Sequence, residues 1–229
     1  MRTVTAVGHR GDPYRFRENT VASLRSALDR GADAVEVDVR LTRDRVPVLL
    51  HDGTLSRLWR HDRAVAEVTA GELRDLGGGE LPTLRDALAA TGRGRVMVDL
   101  PGGGAAWRET LDTVRECGAR DRVYYCGDAS AMLRIRGAEP GAEIALTWTS
   151  LAPPRPSLLA AVRPRWLNYR FSLLSRELVE RVHARGLLVS AWTPDTRRSM
   201  ARLVSFGVDS VTSNRIDVLC SVRDGPRGR

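Results

Sequence analysis

Lysine is absent from the 229-residue chain, so all 36 of its basic residues are arginine. Schiff-base chemistry on a lysine is thereby excluded, and so is a lysine clamp on a phosphate. Cysteine is scarce. Cys117, Cys126 and Cys220 are odd in number and none stands in a CxxC or metal-finger spacing, which argues against a disulfide framework or a structural zinc. Aromatic residues make up only 5% of the chain, and the arginines are spread out rather than blocked. The net charge of +8 therefore does not read as a nucleic-acid surface. It suits a small anionic substrate, or peripheral contact with an anionic membrane face. No apolar run is long enough to cross a bilayer, and the opening MRTVTAVGHRG enters a strand pattern with no leader-like apolar core. These absences lead us to expect a cytoplasmic protein with incidental thiols, and they set no oligomeric state.

What is present is an alternation of short Val-, Ile-, Leu- and Tyr-rich runs with segments of helical period, the pattern of a parallel sheet covered by helices. The candidate strands are TAVGH, AVEVDV, VPVLLH, RVMVDL, RVYYCG, EIALTW, RWLNYR, LLVSAW and SVTS. Eight or nine strands make a closed α/β barrel, a (β/α)8 TIM barrel, the expected fold. Helix ends are marked by Thr20, by Thr83 with Asp86 in capping-box spacing, by Ser175, and by Asp195 or Thr196; Gly31, Gly186 and Gly207 mark stops. About six residues separate the second strand from the third, too few for a helical crossover, so a hairpin or a distorted barrel is required there. Residues 52–82 show little periodicity and read as a small insert over the barrel mouth, a lid or a recognition element. The expected organisation is one domain over residues 1–222, followed by a disordered tail over 223–229.

Polar residues gather at strand ends, which in such a barrel form the active face. His9 and Arg10 end the first strand; an arginine fork matches a phosphoryl group and a histidine moves protons near neutral pH. Alone, this pair reads better as an ordinary surface loop. Glu36 and Asp38 in AVEVDVR are two apart and so share one strand face. Two carboxylates inside a barrel call for a cation, and oxygen ligands suit Mg2+ or Ca2+ better than zinc; outside a barrel they would be a solvated face. His51 ends VPVLLH and would supply a second proton-transfer group. Asp99 closes RVMVD before Pro101 and three glycines, as a third metal ligand or as a turn residue.

Together these motifs resemble the glycerophosphodiester phosphodiesterase family, which shares its barrel with phosphatidylinositol-specific phospholipases C. The likeness runs through HRG, then Glu18, Asn19 and Thr20, then GADAVEVDVRLTRDRVPVLLHDGTLSR, LPTLRDAL, RGLLVSAWT and GVDSVTSN. The resemblance implies metal-dependent hydrolysis of glycerophosphodiesters to sn-glycerol 3-phosphate and an alcohol. It further implies His9 and His51 as the acid–base pair and Glu36, Asp38 and Asp99 as metal ligands. Arg10 would hold phosphate, Trp192 would pack against glycerol, and Glu18 would support the site. The chain also departs from the family pattern. An EIK-type strand reads DLP, placing Asp99 and Pro101 where the family has Glu and Lys; TDxP reads TSNR at Ser213 and Asn214, and WTxN reads WTPD at Asp195. Two other functions follow from those departures: a lysophospholipase D or similar diesterase of changed substrate, and a weakened barrel that binds phosphodiesters.

Overall fold

Each of the nine apolar runs is a strand in the computed structural model, which describes residues 4–225. They are β1 (Thr5–Gly8), β2 (Ala34–Leu41), β3 (Pro47–Leu49), β4 (Arg95–Asp99), β5 (Val123–Gly127), β6 (Ile144–Trp148), β7 (Trp166–Arg170), β8 (Leu188–Trp192) and β9 (Ser210–Ser213). Eight run parallel in the order β1-β9-β8-β7-β6-β5-β4-β2, and the pairing of β1 with β2 closes the barrel. The ninth, β3, lies antiparallel beside β2, with Arg40 opposite Val48. The short spacing thus resolves as a hairpin on the outside of an intact TIM barrel, with β3 an addition to its eight strands.

The described helices are α1 (Val21–Asp29), α2 (Ser56–Trp59), α3 (Ala70–Leu76), α4 (Leu84–Ala90), α5 (Trp107–Glu116), α6 (Ala129–Ala138), α7 (Pro156–Val162), α8 (Arg176–His183), α9 (Arg197–Phe206) and α10 (Ile216–Asp224). Their starts follow the sequence signals. Thr20, Ser175 and Thr196 cap α1, α8 and α9 through their side chains, and Thr83 with Asp86 forms a reciprocal capping box on α4. Each cap satisfies a backbone N–H that the helix leaves open and contributes about 1 kcal/mol. Gly207 ends α9 in the left-handed region. α10 extends to Asp224, so Arg223 and Asp224 are helical rather than part of a disordered tail, while 226–229 lie outside the described residues.

Alternation along the strands sorts the interior into layers. Outward residues such as Val35, Val37, Val39, Val96 and Val98 are fully buried beneath the helices, each contributing roughly 1.5–3 kcal/mol. Inward residues change character along each strand. Val7, Ala34, Met97, Tyr124, Ala145 and Trp166 form an apolar plug low in the barrel. Two residues on, the same strands present Glu36, Asp99, Cys126, Thr147 and Asn168. The plug gives the barrel a dry base, and the polar layer opens upward to the mouth.

Residues 52–82 are more ordered than their weak periodicity suggests. They contain α2, a short 3-10 turn and α3, with a second core formed by Val48, Leu50, Leu55, Trp59, Val65, Val68, Leu73 and Leu81. Thr69 and Glu72 make a capping box on α3 that the sequence reading passed over. No described helix is long and apolar enough to cross a membrane.

Candidate active site

The loop after β1 makes a sharp turn at His9-Arg10-Gly11. Arg10 lies in the left-handed region at φ 54°, a conformation that costs a non-glycine residue about 1 kcal/mol. Three bonds hold it there: its backbone N–H donates to Glu36 Oε2 at 2.9 Å, and its carbonyl accepts from Asn19 N at 3.0 Å and from Ser23 Oγ at 2.9 Å. Gly11 is required beside it, because a Cβ there would stand 2.4 Å from Ser23 Oγ.

Parallel pairing sets Asp38 opposite Asp99, and Glu36 lies two residues below Asp38 on the same face. One carboxylate oxygen from each of the three lies within 4.8 Å of the others; Glu36 and Asp38 are buried and Asp99 is half-buried. Burial first, then the facing carboxylates of Asp38 and Asp99, raises the proton affinity of Glu36 well above the usual carboxylate range. Asp99 is pushed up to about 7 by burial and by Asp38. Three such groups cannot all be ionised side by side unless a cation sits among them, and an all-oxygen set of this kind fits a hard divalent ion. Arg10 supplies only partial compensation. Its Nε is 3.1 Å from Asp38 Oδ2, close enough for an ion pair but not aligned as a hydrogen bond.

The two histidines are each anchored through Nδ1. His9 Nδ1 is 2.7 Å from Asn214 Oδ1, and the Asn214 amide nitrogen donates to Asp195 Oδ2 at 2.8 Å. The Asp195 carboxylate can only accept, so the Asn214 oxygen faces His9 and His9 Nδ1 is the donor. His51 Nδ1 donates to Asp52 Oδ1 at 2.7 Å. Arg57 donates to Asp52 Oδ2 at 2.5 Å, and this bond with the His51 contact holds the Asp52 carboxyl down at about 2 against its partial burial. In both histidines Nε2 is left for the pocket; that of His9 is 3.9 Å from Glu36 Oε2.

Glu18 joins the two histidine regions. It accepts from Arg10 Nη1 at 2.9 Å and takes both terminal nitrogens of Arg57, at 2.6 and 3.1 Å. A continuous chain of charges therefore runs from Asp38 through Arg10, Glu18, Arg57 and Asp52 to His51. Asn19 buttresses its inner end, donating to Asp38 Oδ2 at 2.8 Å.

The opposite wall, from β5 to β9, carries Asp128 after β5 and is otherwise made of uncharged groups. Asn168 donates to Cys126 Sγ at 3.1 Å and to Thr147 Oγ1 at 3.3 Å. Asn168 Oδ1, Trp192 Nε1 and Thr212 Oγ1 are buried without a protein partner and line the pocket. The cavity between the walls is about 300 Å³ and takes in His9, Arg10, Glu36, Asp38, His51, Asp99 and Trp192.

All the residues singled out in the sequence thus converge on one cavity, Glu18 from just behind Arg10. The sequence reading missed four of their partners. Asn19 lay inside a quoted motif without a role, Asn214 was noted only as a departure, and Asp195 as a departure or a helix start, though the two are hydrogen-bonded as a pair. Arg57, in the insert, carried no signal.

Known proteins with this architecture carry related chemistry. A profile of the glycerophosphoryl diester phosphodiesterase family matches residues 9–218. A glycerophosphodiester phosphodiesterase of Caldanaerobacter subterraneus is 27% identical over 247 residues, covering 98% of this chain and 100% of that protein. Among solved structures, an Oleispira antarctica phosphodiesterase in complex with the product sn-glycerol-3-phosphate superposes with a TM-score of 0.88 at 21% identity, over 96% of this chain and 97% of that one. The Thermotoga maritima glycerophosphodiester phosphodiesterase gives 0.81 at 21% identity, over 97% and 99%. With the family profile spanning the barrel from His9 to α10, this chain belongs to the glycerophosphoryl diester phosphodiesterase family and is a phosphoric diester hydrolase.

Proposed function

We propose that the chain cleaves glycerophosphodiesters to sn-glycerol 3-phosphate and an alcohol, with His9 as the first base and His51 as the first acid. The observation that carries this is the pair of histidines, each fixed through Nδ1 with Nε2 left for one cavity beside three carboxylates. His9 lies deep and leans on a neutral amide, which suits a group that begins unprotonated. His51 stands at the mouth, hydrogen-bonded to the Asp52 carboxylate, a position that suits the group that protonates the departing alcohol.

On this reading His9 Nε2 takes the proton of the glycerol hydroxyl that attacks phosphorus, and His51 gives its proton to the departing alcohol. The roles then reverse: His51 accepts a proton from water, the hydroxide opens the cyclic phosphate, and His9 returns its proton to the glycerol oxygen. Glu36, Asp38 and Asp99 would hold Mg2+ or Ca2+, whose charge would offset that developing on the phosphoryl oxygens. Arg10, already oriented by Glu18, would contact the same phosphoryl group, and Trp192 would pack against the glycerol carbons. Residues 52–82 frame the mouth and supply Arg57. The free thiols of Cys117, Cys126 and Cys220 support a cytoplasmic setting.

The test is release of glycerol 3-phosphate from a panel of glycerophosphodiesters with Mg2+, Ca2+ or EDTA, for the wild type and His51→Ala. Metal-dependent release that the substitution removes is the expected result; no release under any condition would sink the reading. A lysophospholipid substrate is the second reading, favoured by the exposed Tyr14 and Phe16 after β1 and Leu151 after β6, all at the mouth end. Lysolipids in the same panel separate the two.

A further inference from the structure

Glu36, Asp38 and Arg40 follow one another at the strand period of two, so the face that bears the carboxylates ends at the barrel mouth in a guanidinium. Arg40 donates from Nε and Nη2 to the carbonyl oxygen of His51, at 2.7 and 2.5 Å. Among the described residues no carboxylate pairs with it. Its remaining nitrogen, Nη1, faces two glycines. A Cβ on Gly102 would stand 3.8 Å from it and one on Gly53 4.0 Å. The guanidinium is thus held rigidly beside the catalytic histidine with its outer edge uncovered.

That edge opens on a second cleft of about 430 Å³, lined by Arg40, Arg43 and Arg45 and by no acidic residue. Arg43 and Arg45 are paired outside it, with Glu72 and Glu109. Pro101 and Gly102 belong to both cavities and form a low ridge between them. Depth gives the substrate a direction. His9 is the deeper histidine and would act on glycerol, so the leaving alcohol departs past His51, the side on which Arg40 and the ridge lie.

We propose that the preferred leaving alcohol carries a second anionic group, a phosphate or a carboxylate, which crosses the Pro101–Gly102 ridge and docks on Arg40. This rests on the reaction proposed above and specifies its substrate class. A preorganised guanidinium with one uncovered edge gains most from a fully charged oxyanion and repels a cationic headgroup such as choline.

Two matched pairs of substrates test it. Glycerophosphoglycerol and its terminal phosphate ester differ only in a phosphate; glycerophosphoethanolamine and glycerophosphoserine differ only in a carboxylate. For the wild type, kcat/KM should favour the anionic member of at least one pair by about tenfold, and which pair responds identifies the anion. In Arg40→Met that ratio should fall to near one even if both rates drop through loss of the His51 contact, whereas Arg40→Lys should keep part of it. Gly53→Asp places a carboxylate against Nη1 without removing the arginine and should also abolish the preference. Ratios near one in the wild type, or ratios unchanged in Arg40→Met and Gly53→Asp, would overturn the proposal and reduce Arg40 to a support for His51. Failure of the underlying reaction looks different: no member of either pair would be turned over, and this inference would fall with it.

Discussion

The two histidine regions are built from opposite materials. His9 sits where three parallel strands meet, its side chain 18% exposed, and its anchor is a neutral amide backed by a carboxylate one residue removed. His51 lies just beyond β3, outside the barrel, is 44% exposed, and is anchored directly by an anion that Arg57 keeps ionised. A buried imidazole beside a neutral partner resists a proton, and burial together with Arg10 does depress the proton affinity of His9. On the proposed mechanism these different surroundings would divide one residue type between base and acid.

The largest expected effects test that division. His9→Ala and His51→Ala should each lower kcat/KM on natural substrates by about 10² to 10⁴. With a p-nitrophenyl ester of glycerol 3-phosphate, whose leaving group needs no proton, the His51→Ala loss should shrink towards wild type while that of His9→Ala persists. Equal losses on both esters would erase the assignment.

Next in size is the effect of a cation. Because the Asp99 carboxyl titrates at about 7 in the folded chain, far above its unfolded value, the metal-free fold binds a proton that the unfolded chain has released. Its stability should therefore decline as pH rises from about 4 through 7, and Mg2+ or Ca2+ should restore it. Thermal melting at pH 5 and pH 8, with and without the ion, should show the larger stabilisation at pH 8, and Asp99→Asn should shrink the difference, leaving the part that Glu36 contributes.

Smaller again is the Asn214 contact. Asn214→Leu frees the His9 tautomer and should cost about tenfold in kcat/KM, with little change in melting temperature. A matching loss in His9→Ala/Asn214→Leu relative to His9→Ala alone would show that Asn214 acts elsewhere. The smallest effect is a control remote from both histidines: Thr83→Ala removes the α4 capping box and should cost about 1 kcal/mol of stability while leaving turnover unchanged.

Much of this was legible in the chain because it is local. Every strand run became a strand, since alternation and β-branched composition act over a few residues. Glu36 and Asp38 share a face by periodicity alone. The insert was less legible: Val65, Val68 and Leu73 bury themselves against Leu50 and Trp59, contacts made across a turn that no single window displays. Asp195 and Asn214 looked like separate departures when each was compared with a family letter, and only the structure joins them, through a 2.8 Å hydrogen bond behind His9.

The sequence by itself determined the nine strand runs, the helix starts, the polar residues at the strand ends and the exclusion of lysine chemistry, because propensity, capping and period are properties of short segments. Tertiary structure alone decided which histidine is deep, that Asp99 faces Asp38, and that Arg40 reaches the His51 carbonyl with its outer edge open. Those depend on barrel closure and strand register, which bring residues far apart in the chain to within a few ångströms and fix the burial that sets their charge.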